Sequence, residues 1–242
     1  MDRYGLIGYP LTHSFSKKYF SEKLWREKID AVYENYELPS IEDVKEVLQI
    51  PGLKGLNVTI PYKEKIIPYL DELDSMAEKI GAVNTIVIAK DKTKGYNTDH
   101  LGFTRSRQSL LQAHHQKALI LGTGGSSAAV AYGLEELGIT YRFVSRYSRS
   151  GMLYYEQVDK QVLDEYTILI NTTPLGMYPD ISAAPEIPYQ FLSHRHLLFD
   201  LIYNPEQTLF LKKGLEQGAT VKNGLEMLQI QAEEAWNIWT RR

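Results

Sequence analysis

The 242-residue chain contains no cysteine. Disulfides, thiolate-bound metals and cysteine nucleophiles are therefore excluded. It also lacks a surplus of positive charge: 27 Lys and Arg stand against 30 Asp and Glu, for a formal net charge of −3. Global attraction to nucleic acid or to an anionic membrane is not expected. Long apolar runs are missing too. The longest uncharged stretch, residues 118–134, is interrupted by Gly122-Thr123-Gly124-Gly125-Ser126-Ser127 and cannot span a bilayer. The opening Met1-Asp2-Arg3-Tyr4 does not have the basic-then-apolar order of a secretory signal, so a cytoplasmic location is expected. There is no internal repeat and no low-complexity tract. The 17 tyrosines are dispersed rather than gathered into a stacking platform for bases.

What is present reads as a folded α/β protein. Apolar residues make up 43% and charged residues 24%, enough to build a core. The length corresponds to about one and a half average domains. In the first half, strands are expected at 4–8, 31–38, 53–60 and 84–89. Helices are expected at 15–28, from 40 onward and at 71–80, with a hairpin-like turn over 91–95. In the second half, strands are expected at 117–121, 140–144, 167–170, 197–201 and 219–222. Helices are expected at 99–113, 126–137, 206–217 and 225–239. Strand–helix alternation predicts parallel sheets with helical crossovers. The domain change is placed near residues 95–100.

Gly122-Thr123-Gly124-Gly125 sits between an apolar strand and a helix. The first glycine allows a tight turn. The next lets a pyrophosphate approach the helix N-terminus, where free N–H groups and the dipole favour an anion. An ordinary strand-to-helix turn is the competing reading, and the flanking strand and helix favour a dinucleotide site. Sites preferring NAD usually carry an acid about 20 residues beyond the glycines. No acid occurs between Glu136 and Glu156; the next strand runs instead into Val144-Ser145-Arg146-Tyr147-Ser148-Arg149. Guanidinium and hydroxyl groups at that place suit a 2′-phosphate, which points to NADP.

The first half carries small polar groups at element ends. They are His13-Ser14-Phe15-Ser16 after the first strand, Asn57-Val58-Thr59-Ile60-Pro61-Tyr62-Lys63, Asn84, and Asn97-Thr98-Asp99. Each alone could be a helix cap or a turn. Together they gather hydroxyls, amides and a Lys/Asp pair where α/β active sites form.

In this order, with Gly81-Ala82-Val83-Asn84-Thr85, Asn171-Thr172-Thr173-Pro174-Leu175-Gly176-Met177, Asp200-Leu201-Ile202-Tyr203-Asn204-Pro205 and Asn223-Gly224-Leu225-Glu226-Met227-Leu228, the segments cover the chain from end to end. The sequence resembles the shikimate dehydrogenases, including the shikimate/quinate members. The resemblance implies an N-terminal α/β substrate-binding domain, residues 1–98 with 225–242, and a Rossmann-like NADP-binding domain, residues 99–224. The C-terminal helix would pack back on the first domain, with the site in the cleft between the two. It further implies that Ser14 and Ser16 bind the carboxylate of shikimate or 3-dehydroshikimate with Tyr203, and that Thr59, Asn84, Asp99 and Gln231 hold ring hydroxyls. Lys63 would be the catalytic acid/base, paired with Asp99. Gly122, Gly124 and Gly125 would cradle the pyrophosphate, and Ser145, Arg146 and Arg149 would meet the 2′-phosphate. Thr172, Thr173, Met177 and Gly224 would line the nicotinamide pocket. The chain departs from the family pattern at His100, Tyr147, Glu226 and Ala128, and is short between residues 149 and 167.

The implied reaction is reversible NADPH-dependent reduction of 3-dehydroshikimate, a step of chorismate and aromatic amino acid biosynthesis, by a monomer or homodimer. A ketone reduction needs a hydride and a proton, and an ammonium at Lys63 could stabilise the oxygen and protonate it. His100, beside Asp99, would tune that pair or cap the helix. His194-x-His196 could chelate a metal in principle. With no cysteine and no carboxylate at a known spacing, a surface loop is expected and no metal site is assigned. Two alternatives stay open at this stage: a paralogue with altered substrate or NAD preference, and a cofactor-binding sensor that no longer turns over.

Overall fold

The computed structural model describes residues 1–11, 15–107, 110–147 and 151–241. By internal contacts the chain forms two compact units, residues 1–98 with 232–242 and residues 99–231.

In the first unit, β1 (Asp2–Gly8), α1 (Phe15–Arg26), β2 (Ala31–Glu37), α2 (Val44–Val47), β3 (Leu53–Val58), β4 (Glu72–Leu73), α3 (Ser75–Ile80), β5 (Thr85–Ala89) and β6 (Lys92–Tyr96) follow in order. The sheet order is β2-β1-β3-β5-β6-β4. Strands β2, β1 and β3 are parallel, but β5 runs antiparallel to both β3 and β6. The expectation of parallel sheets thus fails here, because β5 and β6 are joined by a two-residue turn rather than a helix. Lys90 and Asp91 both have positive φ, 50° and 60°. That is the backbone twist a tight hairpin requires. The turn therefore lies at 90–91, and most of the expected 91–95 turn is strand.

Residues 71–73 also differ from the expected helix. The Asp71 carboxylate accepts from the Thr93 amide at 2.7 Å and from its hydroxyl at 2.8 Å. This holds the segment extended beside β6. The helix begins later, capped by Asp74, which accepts from the Met76 amide at 3.0 Å.

Alternating residues along β1 divide between the two faces of the sheet. Ile7 joins Leu56, Val58 and Ile86 on one face. Leu6 joins Phe20, Leu24 and Tyr33 on the other. That second face is completed by Ala232, Ala235, Trp236 and Trp239 from α8 (Leu225–Thr240), whose indole at Trp239 donates to the Ile86 carbonyl at 2.9 Å. The C-terminal helix thus packs on the first unit as the resemblance implied.

The second unit contains α4 (Asp99–Arg107), β7 (Lys117–Leu121), α5 (Gly125–Glu136), β8 (Thr140–Ser145), β9 (Leu153–Tyr154), α6 (Lys160–Glu165), β10 (Ile168–Asn171), β11 (Leu197–Asp200), α7 (Leu209–Glu216) and β12 (Thr220–Lys222). The order β12-β11-β10-β7-β8-β9 is parallel throughout. It is the doubly wound arrangement, with its switch point between β7 and β10. The central strands are buried on both faces. Leu119 and Leu121 enter one core, and Ala118 and Ile120 the other. That is why these strands read as unbroken apolar runs.

Helix α4 ends before the expected 113. Residues 112–115 instead form a turn in which the His115 ring accepts from the Gln112 amide at 3.1 Å. Helix α7 starts after Thr208, whose hydroxyl accepts from the Leu211 amide at 3.4 Å. Strand β9 and helix α6 carried too short a pattern to be read from the sequence. The boundary between the units falls within α8. Met227 packs in the core of the second unit, and Ala232 in that of the first.

Candidate active site

The polar residues of the first unit gather at one sheet edge. The C-terminal ends of β1, β2 and β3 lie together because the three strands are parallel. The N-terminal end of β5 joins them because β5 is antiparallel to β3, pairing Thr85 with Asn57. Thr59 follows β3, and its amide donates to the Ile7 carbonyl at 2.9 Å. Gly8 is required beside it, since a Cβ there would collide with the Thr59 methyl. The loop continues through Tyr62, buried, with its hydroxyl on the Leu38 carbonyl at 2.5 Å. It reaches Lys63, whose carbonyl accepts from the Val83 amide at 2.7 Å. Lys63 is thereby fixed next to the turn that carries Asn84, and its side chain is half-buried.

Asn84 is 2% exposed. Its Nδ2 donates to the Thr98 hydroxyl at 3.0 Å and its Oδ1 accepts from the Thr98 amide at 2.8 Å. Asn97 bonds the Ala82 carbonyl at 2.9 Å. Ser16, in the first turn of α1, is buried beside Tyr33. Ser16, Thr59, Lys63 and Asn84 therefore belong to one edge. Ser14 lies outside the described residues.

In the second unit, Asp99 is the first residue of α4 and 4% exposed. His100 beside it is buried, its ring edge-on to Tyr132 with centroids 5.6 Å apart. Gly122 has φ 114°, in the region that favours glycine, and a Cβ there would stand 2.6 Å from Thr172 Oγ1. Thr172 is held by the Leu121 carbonyl, which takes both its amide at 2.9 Å and its hydroxyl at 2.8 Å. Gly124 caps α5, and nothing lies within 4 Å of where its Cβ would be. The first turn of α5 carries no acid.

These features fit a pyrophosphate: an open glycine cradle at a helix N-terminus without competing negative charge. Ser127 occupies the third consensus position and is accommodated by bonding the Gly124 carbonyl at 2.6 Å. Ser145 ends β8, buried, its hydroxyl accepting from the Tyr147 amide at 3.1 Å. That bond leaves the Ser145 proton for another acceptor. Arg146 is exposed, its guanidinium 5.7 Å from the Tyr147 ring. Arg149 lies outside the described residues.

A cavity of about 440 Å³ opens beside Arg146, lined also by Tyr155, Glu186, Tyr189 and Lys213. Arg146 is the one expected site residue on its wall among those described. Thr173 is tied to Asn171 Oδ1 by its amide at 3.0 Å and its hydroxyl at 2.6 Å, and Met177 is exposed. Gly224 tolerates no side chain, because a Cβ would run into the Leu201 carbonyl. Tyr203 is half-buried, and Gln231 on α8 is 9% exposed.

A family model described as the shikimate dehydrogenase substrate binding domain matches residues 6–86. Across the whole chain, the shikimate dehydrogenase (NADP(+)) of Methanosphaera stadtmanae is 38% identical, the match covering 98% of this chain and 90% of that one. The chain belongs to the shikimate dehydrogenase family. Among solved structures, the Aquifex aeolicus shikimate dehydrogenase superposes with a TM-score of 0.89 at 34% identity, covering 99% of this chain and 92% of that one. The Thermus thermophilus enzyme in complex with NADP(H) and shikimate gives 0.87 at 30% identity, covering 99% and 94%.

Several polar groups at these edges were not singled out from the sequence of this shikimate dehydrogenase family member. Tyr33 stands in an expected strand and Thr85 in a motif segment, while Asn57 is the amide expected at a strand end. All three join the hydrogen-bonded edge of the first unit. Asn171 and Asp200 end the apolar strands β10 and β11 and bond each other at 3.0 Å with no exposure. A polar residue terminating a fully buried strand was the available signal. Burial pushes the Asp200 carboxyl up to about 7, against hydrogen bonds from Thr208, Ile202 and Asn171.

His196 departs from the expected surface loop. It is 3% exposed, its Nδ1 accepting from the Ser193 amide at 3.0 Å and its Nε2 meeting the Leu163 carbonyl at 2.9 Å. Both ring nitrogens serve the core. Among the described residues no cluster of His, Asp and Glu could hold a metal, and no helix is long and apolar enough to cross a membrane.

Proposed function

We propose that the chain is an NADP-dependent oxidoreductase acting on a CH–OH group, which interconverts 3-dehydroshikimate and shikimate in chorismate biosynthesis. The observation that carries this reading is the edge shared by Ser16, Thr59, Lys63 and Asn84 in a chain whose relatives are shikimate dehydrogenases. A small polyhydroxy acid offers one carboxylate and several hydroxyls. This edge offers hydroxyls, an amide and one amine in matching kind.

In the first unit, the roles fall as follows. Ser16, with Ser14, takes the carboxylate, and Thr59 and Asn84 take ring hydroxyls. Lys63 carries the proton exchanged with the substrate oxygen, its ammonium stabilising negative charge there. From the second unit, Asp99 completes the acid/base set, Gln231 takes a hydroxyl, and Tyr203 assists at the carboxylate. Gly122, Gly124 and Gly125 hold the cofactor pyrophosphate through backbone N–H groups, and Ser145, Arg146 and Arg149 hold its 2′-phosphate. Thr172, Thr173, Met177 and Gly224 border the nicotinamide. When bound, NADP(H) supplies the hydride. The unit of residues 1–98 serves as the substrate domain, and the parallel-sheet unit as the cofactor domain. We place the enzyme in the cytoplasm as a monomer or homodimer, two states that analytical sedimentation separates.

The test is oxidation of NADPH by purified protein given 3-dehydroshikimate, repeated with NADH and, in reverse, with quinate. Turnover with NADPH and 3-dehydroshikimate is expected. Cofactor binding without any reduction would overturn the proposal.

A further inference from the structure

We infer that Tyr33 is a positioning residue of the substrate site, acting through the Ser16 hydroxyl and the Asn57 amide; this rests on the function proposed above. Tyr33 is 4% exposed, its ring stacked on Phe20 with centroids 4.7 Å apart and planes 18° from parallel. That packing fixes where its hydroxyl stands. The hydroxyl donates to Asn57 Oδ1 at 2.8 Å, and Ser16 lies beside it.

From Asn57 the bonds continue inside the unit. Its Nδ2 reaches the Asn84 carbonyl and Thr85 Oγ1, each at 3.4 Å. Thr85 Oγ1 donates to Asn84 Oδ1 at 3.1 Å. A buried chain of polar groups thus runs from Tyr33, beside the proposed substrate ligand Ser16, to another, Asn84.

The core has no need of the Tyr33 oxygen, since phenylalanine would fill the same space against Phe20, Leu24 and Trp239. Burying a hydroxyl is unfavourable unless it is hydrogen-bonded, and here the partner, Asn57, lies at the substrate edge. When Ser16 engages a carboxylate, Tyr33 keeps its own bond to Asn57, so the frame survives. Without the hydroxyl, Ser16 loses its polar neighbour and buried Asn57 Oδ1 loses its donor. A site held by such supporting bonds loses affinity when they are removed.

The experiment compares wild type, Tyr33→Phe, Ser16→Ala and the double variant in steady-state oxidation of shikimate by NADP+, with circular dichroism to confirm folding. Tyr33→Phe should raise the KM for shikimate about tenfold, the scale of one buried hydrogen bond. Its kcat should stay within about threefold, and its KM for NADP+ within about twofold. A merely structural role would lower the melting temperature and the active fraction, hence kcat, and leave the shikimate KM alone. Adding Tyr33→Phe to Ser16→Ala should cost little more than Ser16→Ala itself. An unchanged shikimate KM in Tyr33→Phe, or fully additive losses in the double variant, would overturn the inference. Should Tyr33→Phe not fold, Ser16→Ala and Asn57→Ala alone and combined answer the same question, additivity denying the link through Tyr33. Wild type inactive on shikimate would remove the functional reading and this inference with it. Wild-type activity with an unaffected Tyr33→Phe removes the inference alone.

Discussion

The Asn171 amide donates to the Asp200 carboxylate at 3.0 Å across two adjacent parallel strands, in a position with no solvent exposure. The Ile202 amide shares the same carboxylate oxygen at 3.0 Å, and Thr208 serves the other at 2.6 Å. This one acid ties the ends of β10 and β11 to the start of α7.

Its titration has a defined sign. Burial raises the folded-state value from 3.8 to about 7. The folded protein therefore holds the proton more tightly than the unfolded chain. The stability this gives is complete below pH 3.8 and is lost as pH rises to about 7, on the order of a few kcal/mol in all. Asp200→Asn keeps the shape and does not titrate. Urea unfolding across pH 4 to 8 should show the variant gaining on wild type up to about pH 7 and then running parallel to it. Buried His115 and His196, whose values burial lowers, act in both proteins alike and cancel in the difference. A difference independent of pH would contradict the assignment.

Gly122→Ala combines a strained φ with a collision against Thr172. We expect a stability loss of about 1–3 kcal/mol, since the backbone must shift to clear the methyl. We also expect NADP+ affinity to fall by at least about tenfold, because the N–H cradle moves with it. Calorimetric titration checks the second point, and normal affinity would remove Gly122 from the cofactor site.

Lys63→Ala should lower turnover by about two to four orders of magnitude, the scale of acid–base catalysis, with NADP+ binding retained. The loop is anchored by the Lys63 carbonyl and by Tyr62, so the fold is expected to survive truncation of the side chain. Near-normal turnover would exclude Lys63 from the chemistry.

Arg146→Ala tests cofactor choice. Its guanidinium is exposed beside a cavity, so its loss should leave the fold alone. The kcat/KM for NADP+ should fall about tenfold or more while that for NAD+ stays within about twofold, as removal of one charge-assisted phosphate contact predicts. Equal losses with both cofactors would assign Arg146 to the shared adenosine rather than to the 2′-phosphate.

The second sheet was legible from the chain because buried parallel strands leave a strong signal: Lys117–Leu121 and Leu197–Asp200 are apolar runs bounded by turn residues. The glycine turn, the motif segments and the polar residues at strand ends were equally plain, since local spacing alone reveals them. The sequence did not disclose that residues 71–73 are extended, because Asp71 is held by Thr93, a partner 22 positions away. The hairpin-like turn signalled a return after residues 84–89, but not its place: pairing of β5 with β6 sets the turn at Lys90 and Asp91, both at positive φ. His196 could not be told from a loop residue until Leu163 and Ser193 surrounded it. Composition and local periodicity therefore determined the elements and the chemical groups available. Tertiary structure decided which of those groups share an edge, because hydrogen bonds such as Tyr33 to Asn57 join residues that nothing in their sequence neighbourhood connects.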